Sequence, residues 1–386
     1  MKRLVEKATE LLPQIIEWRR YIHRNAELSF EEYKTQRYIM EVLTQLGIPH
    51  RPIAGTGVLA MLDGENPTPL SPVVLRADID ALPITEQTGL EFASTCGVMH
   101  GCGHDMHTAS LLGALALLAQ ERFEGTIWGL FQPGEELHPG GASIVLKDEI
   151  FKRVTPRHFF GLHCSPELPV GMIGLCPDQF MASTDELHIT VEGKGGHAAM
   201  PHLINDTVLA SSAMVVALQQ IVSRRANSFI PTVISFGRFD AAGATNIIPS
   251  QVVLEGTFRT MDEPWRAQVK ELIGEIATQT VSSYGCTAQV NILDGYPSVI
   301  NDRVLTERAK SLATELFGAE GTMQIPRRMT AEDFGFYAAR YPSLFFRLGT
   351  GDSCAPLHNS RFSPDESALS YGSSMMAALA LDILTR

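Results

Sequence analysis

Apolar positions at helical spacing open the chain. Leu11, Ile15, Trp18 and Ile22 recur every three or four residues, so residues 4–46 read as one helical segment closed by Gly47. Short apolar runs of strand length follow at 73–77, 126–131, 159–162 and 344–348. A helix pattern at 108–122 separates the first two. Strands alternating with helices predict an α/β domain with a mostly parallel central sheet. From about residue 183 the rhythm changes. Leu187, Ile189 and Val191 alternate with polar residues as in a half-buried strand, and a helix is expected at 206–223. Strands at 232–239 and 251–260, a helix at 263–283 and a strand at 287–293 complete the order β-α-β-β-α-β, that of a ferredoxin-like unit. The expected organisation is a catalytic α/β domain, residues 1–182 and 295–386, interrupted by a smaller ferredoxin-like lid at 183–294.

Composition narrows the class. Of 386 residues 45% are apolar and 19% charged, as in ordinary globular proteins. Lys plus Arg is 31 against 43 Asp plus Glu, a net charge of −12, which argues against a nucleic-acid partner. The longest apolar stretch, around 111–119, is about half the length of a membrane span. Nor does an apolar h-region follow Met1-Lys2-Arg3, so no secretory leader is expected. Six scattered cysteines do not read as a disulfide framework. These features place the protein in the cytoplasm, away from membranes, most naturally as an enzyme. No internal repeat or low-complexity tract suggests a scaffold.

The chemistry collects where strands end, the usual ligand edge of an open α/β sheet. One run leads into Arg76-Ala77-Asp78-Ile79-Asp80 and another into Gln132-Pro133-Gly134-Glu135-Glu136. The later runs lead to His163 and, through a glycine-rich loop, to His358. His100-Gly101-Cys102-Gly103-His104-Asp105 precedes the helix expected from 108, whose N-terminus favours a thiolate at Cys102. Alone, a Cys-x-His pair is a buried thiol and a satisfied histidine as readily as a site, and paired glutamates after a turn usually start a solvated helix. A nucleophilic Cys102 with His104 as its base is a rival reading. Together, however, Cys102, His104, Glu136, His163 and His358 offer S, N and O donors suited to one or two divalent ions of the Zn, Mn, Ni or Co kind. Adjacent side chains at a strand end diverge, so Glu136 can bind metal while Glu135 acts as general base. Water on such an ion has its pKa lowered to about 7, and Glu135 would pass its proton to a leaving amine: the chemistry of amide hydrolysis.

Arg76-Ala77-Asp78-Ile79-Asp80-Ala81-Leu82-Pro83, Met99-His100-Gly101-Cys102-Gly103-His104-Asp105, Pro133-Gly134-Glu135-Glu136, Leu162-His163, Gly195-Gly196-His197-Ala198-Ala199-Met200-Pro201-His202 and Leu357-His358-Asn359 resemble the M20 metallopeptidase family. The likeness is closest to its amidohydrolase branch of hippurate, N-acyl-amino-acid and auxin-conjugate hydrolases. It runs in order from about Trp18 to Ser367. It implies a dinuclear site on Cys102, His104, Glu136, His163 and His358 with Glu135 as base, and a homodimer formed through the lid. Many M20 peptidases have His-x-Asp where this chain has Asp78-Ile79-Asp80; the same departure marks the amidohydrolase branch, where the cysteine ligand occurs instead. By the same resemblance His197 hydrogen-bonds the developing oxyanion, in its own or a partner's site, and the Asn246 loop approaches substrate.

Three further residues are read from their chemistry. Arg259 ends a lid strand, and its guanidinium fork suits the free carboxylate of an N-acyl amino acid. Asp80 is expected to orient a ligand histidine. Asp105 caps the following helix or orients a ligand in the same way. His138 is read as a loop residue. The expected reaction is hydrolysis of N-acetyl, N-benzoyl or similar N-acyl-L-amino acids. N-acetyl-diaminopimelate deacetylation and dipeptide cleavage are the alternatives at the same site, and a peptide-binding protein without catalysis is the reading the intact Glu135 disfavours.

Overall fold

The computed structural model describes residues 2–385. The chain forms two compact units, Met1–Phe180 with Ile300–Arg327 and Asp333–Arg386, and Met181–Val299 with Arg328–Glu332. The larger begins with α1 (Lys2–Arg24) and α2 (Tyr33–Gln45), then β1 (His50–Ile53), β2 (Gly57–Asp63) and β3 (Val73–Asp78). Next come α3 (His104–Leu118), β4 (Thr126–Gln132), β5 (His158–Ser165) and β6 (Ile173–Leu175). The smaller unit holds β7 (Asp185–Glu192), α4 (Thr207–Gln220), β8 (Thr232–Asp240), β9 (Gln251–Thr260), α5 (Glu263–Ser282) and β10 (Thr287–Asp294). The larger unit is completed by α6 (Arg303–Phe317), β11 (Thr322–Gln324), β12 (Ser343–Gly349) and α7 (Ala368–Leu384).

The eight-stranded sheet runs β1-β2-β4-β3-β5-β12-β6-β11. Its centre is parallel: β3 pairs with β4 and β5, and β5 with β12. The antiparallel pairs are β1–β2, β2–β4 and β6–β12. Strands covered on both faces read as unbroken apolar runs rather than alternating ones, and every residue of β3, β4 and β12 is buried. The helix α3 is likewise buried along its whole length, which explains why it lacks the polar stripe of a surface helix. In the smaller unit the antiparallel order β8-β9-β7-β10 with two helices is the ferredoxin-like arrangement. By length and composition Thr207–Arg225 could cross a bilayer; here Ala210, Met214, Leu218 and Ile221 are buried in this unit's core.

The single helix expected over 4–46 is in fact two. Glu27 accepts hydrogen bonds from the backbone N–H groups of Lys34 and Thr35, both at 2.9 Å. It thereby satisfies donors that an α2 start leaves open, and Phe30 takes a left-handed φ of 65° in the connection. A carboxylate seven residues away is not a signal that apolar spacing can reveal. The start of α3 also lies earlier than expected, at His104, because Gly103 supplies the required φ of 87°. A Cβ at Gly103 would meet the Cys164 side chain at 3.2 Å.

Asp105 departs from its expected role. It neither caps α3 nor touches a candidate ligand; Arg19 Nε donates to its Oδ2 at 2.6 Å and His23 Nδ1 lies 2.9 Å from the same atom. Being in the first turn of a fully buried helix, its carboxylate faces α1 and serves as the ionic tie between α1 and α3. Despite burial, Arg19 and His23 hold its carboxyl well below the usual range. Removing one member of a buried pair costs roughly 3–5 kcal/mol, since the other is left uncompensated. Arg19→Leu is therefore expected to lower the urea midpoint of the larger unit by that equivalent. Arg20 is itself exposed where it meets half-buried Glu366, so Arg20→Ala should cost under about 1 kcal/mol.

Candidate metal centre

Four segments of the larger unit bring the expected donors together. Cys102 lies in the loop before α3, His104 in that helix's first turn, Glu135 and Glu136 after β4, and His163 within β5 rather than at its end. His358 comes from the loop after β12, in a left-handed backbone conformation (φ 64°) held by its N–H on the Gly101 carbonyl at 2.8 Å. That bond ties His358 to the Cys102 loop. The Glu pair is placed by the turn Pro133-Gly134, where a Cβ at Gly134 would strike the Phe30 ring at 2.3 Å. Buried Glu32 accepts the Gly134 N–H at 2.8 Å.

The Cys102 Sγ is 3.4 Å from His163 Nε2 and 3.3 Å from His358 Nε2. Glu136 Oε1 is 3.6 Å from His358 Nε2 and 3.9 Å from His104 Nε2. Two overlapping donor groups result, Cys102–His104–His163 and Cys102–Glu136–His358, each with ligand atoms within 4.8 Å of one another. One thiol is common to both. The Glu135 and Glu136 carboxylates both approach His104 instead of diverging, with Glu135 the more deeply buried. Asp80 contacts His104 as expected: His104 Nδ1 donates to Asp80 Oδ1 at 3.1 Å and to its carbonyl at 3.0 Å, so that Nε2 is the nitrogen turned toward the other donors.

The residues fit a cation by two observations. His104 Nε2 and Glu136 Oε1 are buried and without a hydrogen-bond partner. Such atoms are rare unless an ion or water serves them. Although burial opposes the charge on His104, Asp78, Asp80 and Glu136 more than reverse this and raise it to about 10. Buried negative charge of this kind calls for a positive group. The helix N-terminus does not give Cys102 a thiolate by itself, contrary to expectation. Burial, then Glu136, Glu135 and Asp78, push the thiol well up, so a metal is what would deprotonate it. An unmetallated Cys102 is correspondingly a poor nucleophile.

Another group, Asp78–His104–His107, also has its ligand atoms within 4.8 Å of one another. Here His107 is already satisfied on both sides, Nδ1 donating to Asp78 Oδ1 at 2.6 Å and Nε2 accepting the Cys164 N–H at 2.9 Å. Asp78 further accepts from Arg76 Nη1 at 2.8 Å, and Arg76 spans to Gln132 and Asp333. His107 and Asp333 escaped the sequence reading, and Arg76 and Gln132 were seen only as parts of strand-end segments with no role assigned, because the partners lie far along the chain. The only available hint was the i, i+3 spacing of His104 and His107.

The remaining expected residues sit in the smaller unit. His197 is exposed and pairs with Ile247 in a two-residue ladder, and Ala198 N–H donates to the Asn246 carbonyl at 2.9 Å, so these two residues are neighbours. Arg259, half-buried in β9, uses Nη1 on the Met329 carbonyl at 3.0 Å; burial lowers its pKa. His138 is an exposed loop residue. All six cysteines are free.

An open, largely parallel sheet with His, Cys and carboxylate donors clustered within and beside its strands is the setting of a metal-dependent hydrolase. Residues 74–382 match the model of peptidase family M20/M25/M40, and the chain belongs to the M20 family. It is 40% identical over 361 residues to the N-acetyldiaminopimelate deacetylase of Bacillus subtilis, covering 93% of this chain and 95% of that one. A dinuclear metal binding peptidase of the M20 family from Bacillus subtilis superposes with a TM-score of 0.85 at 35% identity, covering 98% and 99% of the two chains. A solved chain from methicillin-resistant Staphylococcus aureus gives 0.92 at 33% identity over the full length of both.

Replacing His104 or His163 by Ala should weaken Mn²⁺ binding, followed calorimetrically, by more than the 10–100-fold typical when only a ligand's hydrogen-bond partner is lost. His138→Ala and Cys354→Ser should leave it unchanged.

Proposed function

We propose that this protein hydrolyses the amide bond of N-acetylated amino acids, with N-acetyl-diaminopimelate as the best-supported substrate. The observation that carries this reading is 40% identity over 93% of the chain to a deacetylase of that specificity. It favours the narrower alternative of the sequence analysis over benzoyl or indole conjugates. In this reading Cys102, His104, Glu136, His163 and His358 hold one or two divalent ions. Such ions polarise the scissile carbonyl and acidify water. Glu135, buried and receiving the Asp333 N–H at 3.4 Å on Oε1, takes the proton of the attacking water and returns it to the leaving amine. Asp80 keeps His104 in the tautomer whose Nε2 faces the other donors.

Arg259 is assigned to the substrate's carboxylate on its chemistry, and by family resemblance the Asn246 loop is assigned to substrate contact and His197 to the developing oxyanion. A homodimer formed through the smaller unit and a cytoplasmic location belong to the same proposal. Loss of an oxyanion donor costs about 3–4 kcal/mol, so His197→Ala should lower kcat with little change in KM. Mixing His197→Ala with Glu135→Ala chains should restore activity if the histidine acts across subunits.

The decisive test is amine release from N-acetyl-diaminopimelate beside N-acetyl, N-benzoyl and indole-acetyl amino acids and simple dipeptides. We expect turnover that EDTA abolishes, highest on the diaminopimelate derivative, and a loss of about 10²–10⁴-fold in Glu135→Gln. Turnover undiminished in Glu135→Ala would refute the mechanism, and a preference for aromatic acyl groups would refute the substrate.

A further inference from the structure

The two carboxylates of Asp78-Ile79-Asp80 are each placed against a histidine. Asp80 acts on His104 directly. Asp78 faces His107, which binds nothing in the donor cluster but is buried against it, its ring centroid 4.7 Å from that of His163. A carboxylate can only accept, so His107 Nδ1 carries the proton toward Asp78 Oδ1 at 2.6 Å. The Cys164 N–H can only donate, so His107 Nε2 is its acceptor at 2.9 Å. Both constraints select one neutral tautomer. The same residue's carbonyl, Cys164 O, accepts from His163 Nδ1 at 2.8 Å. Residue 164 is therefore gripped at its N–H by His107 and at its C=O by His163. Parallel pairing of β5 with β12 fixes the strand on one side, with Arg347 opposite His163, while β3 pairs with β5 only as far as Arg76–Gly161. Beyond that point no ladder bond from β3 holds the end of β5, and His107 takes its place.

We propose that Asp78 and His107 form a positioning relay that fixes the backbone at Cys164, and through it the tautomer and ring plane of His163, so that His163 Nε2 faces Cys102 Sγ. Arg76 serves the relay by occupying the second oxygen of Asp78, Oδ2, at 2.8 Å, which keeps Oδ1 turned to His107. The importance of His163 rests on the reading of it as a metal ligand; the relay's geometry does not.

Two substitutions separate the relay from mere packing. In Gln the side-chain oxygen falls near the place of His Nε2, so His107→Gln keeps an acceptor for the Cys164 N–H. In Asn the amide falls near Nδ1, so His107→Asn keeps a donor for Asp78 and loses that acceptor. Imidazole ¹⁵N spectra of metal-free, ¹⁵N-histidine-labelled protein report the tautomer of His163, and calorimetry with Co²⁺ reports the cluster. We expect His107→Gln to retain the Nδ1–H form of His163 and bind Co²⁺ within about threefold of the parent, whereas His107→Asn mixes the tautomers and weakens Co²⁺ by about 10–100-fold. Equal behaviour of the two variants, or an unchanged His163 spectrum in His107→Asn, would overturn the relay whatever their melting temperatures. Because the spectra need neither metal nor substrate, a failure of the deacetylase reading would leave this result standing.

Discussion

The ends of β3 and β4 bring Asp78, Asp80, Glu135 and Glu136 into a region that the sheet and the buried helix α3 leave almost without water. Carboxylates cannot remain ionised there unless each is met by donors or positive charge. Much of the larger unit's polar interior answers that requirement. Arg76 neutralises Asp78 and Asp333, Ser29 and the Glu136 N–H serve Asp80, and His104 stands between Asp78, Asp80 and Glu136. What these groups leave unmatched, His104 Nε2 and Glu136 Oε1, points to the place of a cation.

The same pressure shapes the architecture around the site. A second buried carboxylate, Asp105, sits one residue beyond His104 and is matched by Arg19 and His23 from α1. Helix α3 is thus fixed from both sides of its first turn: on one by the site's own carboxylates, on the other by α1. His358 accepts a left-handed backbone to complete the donor set, a conformation that costs about 1–3 kcal/mol and is kept where surrounding structure enforces it. The hydrogen bond to Gly101 is part of that enforcement.

Much of this was legible in the sequence. The strands at 73–77, 126–131, 159–162 and 344–348 announce themselves as short apolar runs because both faces of the sheet are covered, and polar residues placed just after them mark the ligand edge. Asp80 beside His104 followed from the habit of ligand histidines to donate their second nitrogen to a carboxylate. What could not be read were effects carried by partners remote in the chain. Glu27 splits the first helical segment, Arg19 and His23 claim Asp105, and Asp78 with Cys164 claims both nitrogens of His107. The thiol of Cys102 shows the same limit. Its helix N-terminus was visible, but the burial and neighbouring carboxylates that outweigh it were not.

The central claim is that one thiol, shared by two donor groups, holds the divalent metal on which hydrolysis depends. Stepwise addition of Co²⁺ to metal-free protein tests it most directly, with the near-ultraviolet thiolate-to-cobalt absorption and amine release followed in the same sample. The account predicts that absorption and turnover rise together and saturate at the same metal ratio, and that Cys102→Ser lacks the absorption. Full turnover before cobalt is added, or cobalt-dependent turnover with no thiolate absorption, would contradict it.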